Sequence, residues 1–123
     1  MRKRLYEEKT KAYSKLVGLI DKGIPVIPAL RETSKSIESR EISDAFNYLA
    51  NYVEEGHPLY NAMISYNQSR DIHKNKFNWR SWSKNNEIFS QEEIRAIMEA
   101  ECYGGLKEKL FQLGKGHYRI GNN

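Results

Sequence analysis

Sulfur chemistry is almost absent from this chain: Cys102 is the single cysteine among 123 residues. An internal disulfide and a thiolate metal site are both excluded, and nothing calls for an oxidising compartment. Long apolar runs are missing too. The longest, such as Leu16-Val17-Gly18-Leu19-Ile20, fall far short of the roughly 18 residues that cross a bilayer. The basic start Met1-Arg2-Lys3-Arg4 runs into charged and polar residues where a signal peptide needs an apolar h-region. A soluble, cytosolic chain is expected. A large excess of one charge is lacking as well, the net being +4, so a global nucleic-acid-binding field is not supported.

Signatures of catalysis and cofactor binding are equally thin. Neither a Gly-x-x-x-x-Gly-Lys-Ser/Thr phosphate loop nor a Gly-x-Gly-x-x-Gly turn occurs, and no cofactor is expected. His57, His73 and His117 have no second ligand three or four residues away and read as solvated. Cys102 lacks an activating base and reads as a buried helix thiol. Glu99 and Glu101, two residues apart, would point to different helix faces and could not act on one bond. An enzyme is not expected.

What is present is helical punctuation. Hydrophobic residues make up 39%, and eight Tyr, four Phe and two Trp are enough to anchor one small core. Leu5, Ala12, Tyr13, Leu16, Leu19 and Ile20 form an apolar stripe over residues 3–20, stopped by Lys22-Gly23-Ile24-Pro25. Ile27, Leu30, Ser34 and Ile37 share the face of a second helix ending near Ser39. Ile42, Ala45, Phe46, Leu49, Tyr52 and Val53 make a third, terminated by Glu54-Glu55-Gly56-His57-Pro58. Leu59, Ala62, Met63 and Tyr66 give a short fourth element, after which Asn67-Gln68-Ser69 lose periodicity and a loop or irregular helix is expected. Ser90-Gln91-Glu92-Glu93 matches a capping box and predicts a helix from Gln91, with Ile94, Ile97, Met98 and Glu101 on one side. Gly104-Gly105 permits a bend before Leu106, Leu110 and Leu113. The pattern predicts an all-α fold, an antiparallel bundle of about six helices over residues 1–115, with residues 116–123 as a flexible tail.

Between Arg70 and Lys84 lie five cations (Arg70, Lys74, Lys76, Arg80, Lys84) and one acid, Asp71, an excess equal to the whole net charge. Phe77, Trp79 and Trp82 interleave with them. Arg70, Lys74, Lys76, Trp79, Arg80, Trp82 and Lys84 are candidate partner-binding residues, an acidic protein surface being the first suspect. In the alternative, the aromatics bury against the bundle and the charges are solvated.

Three blocks carry a family resemblance. Leu16 to Leu30 reads L-V-G-L-I-D-K-G-I-P-V-I-P-A-L, Val53 to Met63 reads V-E-E-G-H-P-L-Y-N-A-M, and Phe89 is followed by Ala100-Glu101-Cys102-Tyr103-Gly104-Gly105-Leu106. These resemble the cytoplasmic domain of the GspF/PilC platform family of type II secretion and type IV pilus machines. Gly23, Pro25, Gly56, Ala62, Glu101, Gly104 and Leu106 fall on the family's structural motif. Ala100 and Tyr103 depart from its usual Gly and Ser, and residues 67–88 make a longer, more basic connection. The resemblance implies the first cytoplasmic six-helix bundle of an inner-membrane protein, with the tail leading to a transmembrane segment. Its implied partners are the assembly ATPase, other platform components and a possible second copy, with no nucleic acid. Glu101 is implied either to hydrogen-bond a neighbouring helix end or, as a weak metal candidate, to ligate a divalent cation. The alternative reading is a small helix-turn-helix DNA-binding regulator, with Arg40, Asn47 and Asn51 offered to bases but Asp44, Glu54 and Glu55 facing phosphate.

Overall fold

The structure, a computed structural model, describes residues 2–74 and 87–116. Six helices follow in order: α1 (Arg2–Asp21), α2 (Val26–Ser36), α3 (Arg40–Glu54), α4 (Leu59–Lys74), α5 (Gln91–Tyr103) and α6 (Leu106–Gly114). No strand occurs among the described residues, and the fold is an all-α bundle. Each helix packs on its neighbours in sequence, and α6 returns to pack along α1, closing a ring.

The helix ends follow from local chemistry. Gly23 and Gly56 take positive φ values of 96° and 107°, which lets the chain leave α1 and α3 without a Cβ clash. Pro25, extended at the N-cap of α2, has its carbonyl accept from the Ala29 N–H at 2.9 Å. The Ser39 hydroxyl caps α3 through the Ile42 N–H. At α5 both bonds of the capping box form, Glu93 N–H to Ser90 Oγ at 3.1 Å and Ser90 N–H to Glu93 Oε1 at 2.5 Å.

The core is one cluster drawn from every helix, with Tyr13, Leu16, Leu30, Ile42, Phe46, Leu49, Met63, Phe89, Ile97, Leu110 and Leu113 fully buried or nearly so. Tyr13 meets Phe46 edge-on at 5.7 Å between centroids, and Phe46 meets Phe89 at 6.2 Å. Each such ring contributes roughly 2–3 kcal/mol by leaving water. Serine pairs seam α2 to α3: Ser34 Oγ donates to the Ser43 carbonyl at 2.8 Å, and Ser43 Oγ donates to the Ser34 carbonyl at 2.7 Å.

Three expectations need correction. The fourth helix does not stop at Tyr66 but runs to Lys74. Asn67, one turn past Met63, occupies the next inward position as a buried polar residue, so the stripe continues where apolar spacing alone shows a break. Met98, 37% exposed, is not on the inner face of α5, which is made by Glu93, Ile94, Ala96, Ile97 and Ala100. Cys102 is exposed rather than buried, because it lies two residues, about 200° of helix, beyond the inward Ala100.

Candidate functional site

Two polar joints hold the bundle where helices alone would leave backbone groups unmatched. The first surrounds Ile88 and Phe89, a buried non-helical pair just before α5. Asn67 Oδ1 accepts from the Ile88 and Phe89 N–H groups at 3.1 and 3.2 Å, and Asn67 Nδ2 donates to the Phe89 carbonyl at 2.8 Å. The remaining group, the Ile88 carbonyl, accepts from Lys9 Nζ. Side chains from α1 and α4 thus take up all four backbone polar groups, each of which would cost a few kcal/mol if buried unpaired.

Lys9 also pairs with Glu93 at 2.9 Å, the two side chains being 5% and 0% exposed. Such a pair is held by its additional hydrogen bonds, here from Ser90 N–H to Glu93 and from Lys9 to Ile88. Tyr13 lies beside it. Burial first, then the Glu93 charge and hydrogen bonding toward it, push the Tyr13 hydroxyl well above its ordinary pKa of 10.0. That contact is looser than a formed hydrogen bond, since Tyr13 Oη and Glu93 Oε2 both remain without a partner by distance and angle.

The second joint is at Glu101. Its carboxylate spans the first turn of α4, accepting from the Leu59 N–H at 2.6 Å and the Tyr60 N–H at 2.9 Å. A helix start has unpaired N–H donors and partial positive charge, and a carboxylate satisfies both. Of the other motif residues, Ala62 is fully buried in α4 and Leu106 opens α6 half-buried. Gly104 (φ 96°, ψ 169°) and Gly105 (φ 91°, ψ 24°) both adopt conformations that suit glycine and turn the chain from α5 into α6.

The candidate partner-binding residues divide. Arg70 and Lys74 belong to the last part of α4, whereas Lys76, Trp79, Arg80, Trp82 and Lys84 lie outside the described residues. His117 and the tail from residue 117 lie outside them too. His57 is not simply solvated: half-buried, it stacks on Tyr52 at 4.2 Å and 24° between planes. Tyr52 stacks on Tyr48 at 5.8 Å, Tyr48 meets Tyr66 at 5.1 Å, and Tyr66 meets Phe89 at 6.2 Å. A continuous line of rings therefore runs from the core to the α3–α4 turn.

On the exposed side of α3, Arg31 donates to Asn51 Oδ1 at 2.8 Å and pairs with Glu54. Among the described residues no group of three or more His, Cys, Asp and Glu side chains is disposed to hold a metal ion. Among the same residues, no helix is long and apolar enough to cross a membrane.

Sequence reasoning gave Glu93 its capping role but missed its buried pairing, and it missed Lys9 and Asn67, although for these two the signal was present. Lys9 stands one turn from both Leu5 and Tyr13 on the apolar stripe, and Asn67 one turn from Met63. A charge or amide at such a position has to find a buried partner. Compared with known proteins, the chain matches no family model, no curated protein and no solved structure.

Proposed function

We propose that this bundle is a non-catalytic interaction domain from the cytoplasmic side of an inner-membrane platform protein of the type IV pilus or type II secretion kind, docking the assembly ATPase and other machine components. The observation that supports this reading most is the Glu101 joint. Glu101 belongs to the third of the resembling sequence blocks, and it caps the helix that starts within the second, 41 and 42 residues away. The two glycine stops, Gly23 and Gly56, fall in the first and second blocks and carry positive φ. The motif residues thus serve as joints of a rigid bundle, leaving the surface free to specify partners.

The binding test is direct. The chain, immobilised, is titrated with a purified assembly ATPase of the type IV pilus or type II secretion kind, and with random duplex DNA at two salt concentrations. Saturable ATPase binding is expected, weakened about tenfold or more by a Lys76→Glu/Arg80→Glu/Lys84→Glu variant if those cations meet an acidic surface. Absence of ATPase binding together with tight, steeply salt-dependent DNA binding would replace this reading with the DNA-binding regulator.

A further inference from the structure

The first and last helices leave an open groove of about 500 Å³ along their seam, a volume within the range of sites that hold small molecules. The two run antiparallel there, Lys107 pairing with Asp21 at 3.0 Å at one end and Gly114 lying against Ser14 at the other. From Lys107 to Lys115 the groove follows α6 for roughly 12 Å at 1.5 Å per residue. Its middle is apolar. Val17 and Phe111 line it, the latter 51% exposed, and Gly18 brings no side chain to it. An added Cβ at Gly18 would meet nothing within 4 Å, although glycine inside a helix is less favourable than alanine. Packing among the described residues does not account for that glycine, whereas an occupant of the groove does.

Charge is sorted along the groove. At the start of α6, Asp21, Lys107 and Glu108 leave one net negative charge, Glu108 Oε1 reaching back to 3.6 Å from where a Cβ on Gly105 would stand. The opposite end carries Lys115, whose Nζ lies 4.5 Å from the Phe111 ring centre. Among the described residues no carboxylate pairs with it. Ser14 adds a hydroxyl at the same end. A ligand carboxylate suits Lys115 and Ser14, and a hydrocarbon chain suits the middle. The acids at the far end disfavour both the reversed orientation and a second anionic group.

We propose that the α1/α6 groove binds a free medium-chain aliphatic monocarboxylate, its carboxylate on Lys115 and Ser14 and its tail laid over Gly18, along Val17 and Phe111, toward the Asp21–Lys107 pair. Such a site does not depend on ATPase docking.

Decanoate, octanoate, decanol and decanedioate, each kept below the concentration at which it aggregates, are titrated into the whole isotope-labelled chain while amide shifts are followed by nuclear magnetic resonance. Decanoate should give saturable shifts centred on Gly18, Phe111 and Lys115. Octanoate, two methylenes shorter, should bind up to about 15-fold more weakly. Decanol, which lacks the carboxylate, and decanedioate, which carries a second one, should each bind about tenfold more weakly than decanoate. Lys115→Met keeps the aliphatic stem and removes the charge, so decanoate should weaken about tenfold while decanol is unaffected. Gly18→Leu, which projects into open space and should leave helical circular dichroism intact, should abolish the binding of both. Decanoate that shifts no groove amide, decanol bound as tightly as decanoate, or decanoate affinity untouched by Lys115→Met would each overturn the proposal. Binding confined to anionic phospholipid vesicles would overturn it in favour of a membrane surface, and groove shifts that follow the chain's own dilution and resist decanoate would overturn it in favour of a second copy.

Discussion

Replacing Lys9 with Met keeps the length of the stem and deletes the ammonium. Glu93, 0% exposed, then holds its charge without a cation, and the buried Ile88 carbonyl loses its donor. Breaking a buried pair on one side costs about 3–5 kcal/mol. A domain of this size is stable by roughly 6–18 kcal/mol at 0.05–0.15 kcal/mol per residue, so the loss is a large share of the whole. At roughly 3–5 °C per kcal/mol, the midpoint of thermal unfolding should fall by about 10–25 °C. Glu93→Leu alone should be comparably damaging, because it strands Lys9. The double variant Lys9→Met/Glu93→Leu removes both charges and leaves the Ser90 N–H and the Ile88 carbonyl without these partners, about 1–3 kcal/mol each. With no unpaired buried charge, it should lose less stability than the sum of the two single variants. Urea unfolding at pH 7, followed by far-ultraviolet circular dichroism, closes the double-mutant cycle. Simple additivity of the single losses, or a Lys9→Met effect within about 1 kcal/mol, would refute a tightly coupled buried pair.

Three further outcomes are expected. Because the folded Tyr13 pKa lies above its unfolded value of about 10, its contribution to stability is complete below pH 10 and is lost as pH rises beyond it. Tyr13→Phe should flatten the alkaline fall in stability by up to about 1.4 kcal/mol per pH unit, measured by urea unfolding between pH 9 and about 11.5. Glu101→Ala uncaps α4, and a loss of about 0.5–2 kcal/mol should come with faster amide exchange at Leu59 and Tyr60, which unchanged exchange at both would contradict. Two helical glycines should respond with opposite signs: an added Cβ at Gly114 of α6 would stand 3.0 Å from the Ser14 backbone of α1, so Gly114→Ala lowers the melting temperature, whereas one at Gly18 inside α1 meets nothing within 4 Å and Gly18→Ala raises stability by roughly 0.5–1 kcal/mol.

Most of the helices were legible because their punctuation is chemical rather than statistical. Gly23 and Gly56 stop helices through positive φ, and Ser90 with Glu93 starts one through two reciprocal hydrogen bonds. Less legible were the inward-facing polar residues. Lys9, Asn67 and Glu93 sit on helical faces whose other members are apolar, and a reading that treats polar as outward breaks the stripe at each of them. That break hides the C-terminal half of α4 and turns the expected face of α5 toward Met98. The partners of Lys9 and Glu93 are 84 residues apart, so no local spacing joins them. Glu101 stands out in its block, but the donors to its carboxylate, the Leu59 and Tyr60 N–H groups, belong to the backbone and carry no mark in the side-chain sequence.

The clasp formed by Asn67 settles how this bundle can tolerate change. It fastens α4 to Ile88 and Phe89 at the root of the long connection, so the stem is closed by three hydrogen bonds irrespective of what links its two ends. The frame on either side is therefore held by Asn67 and Lys9 themselves, and α4 stays fastened to the start of α5 by bonds that do not depend on the identity of residues 75–86.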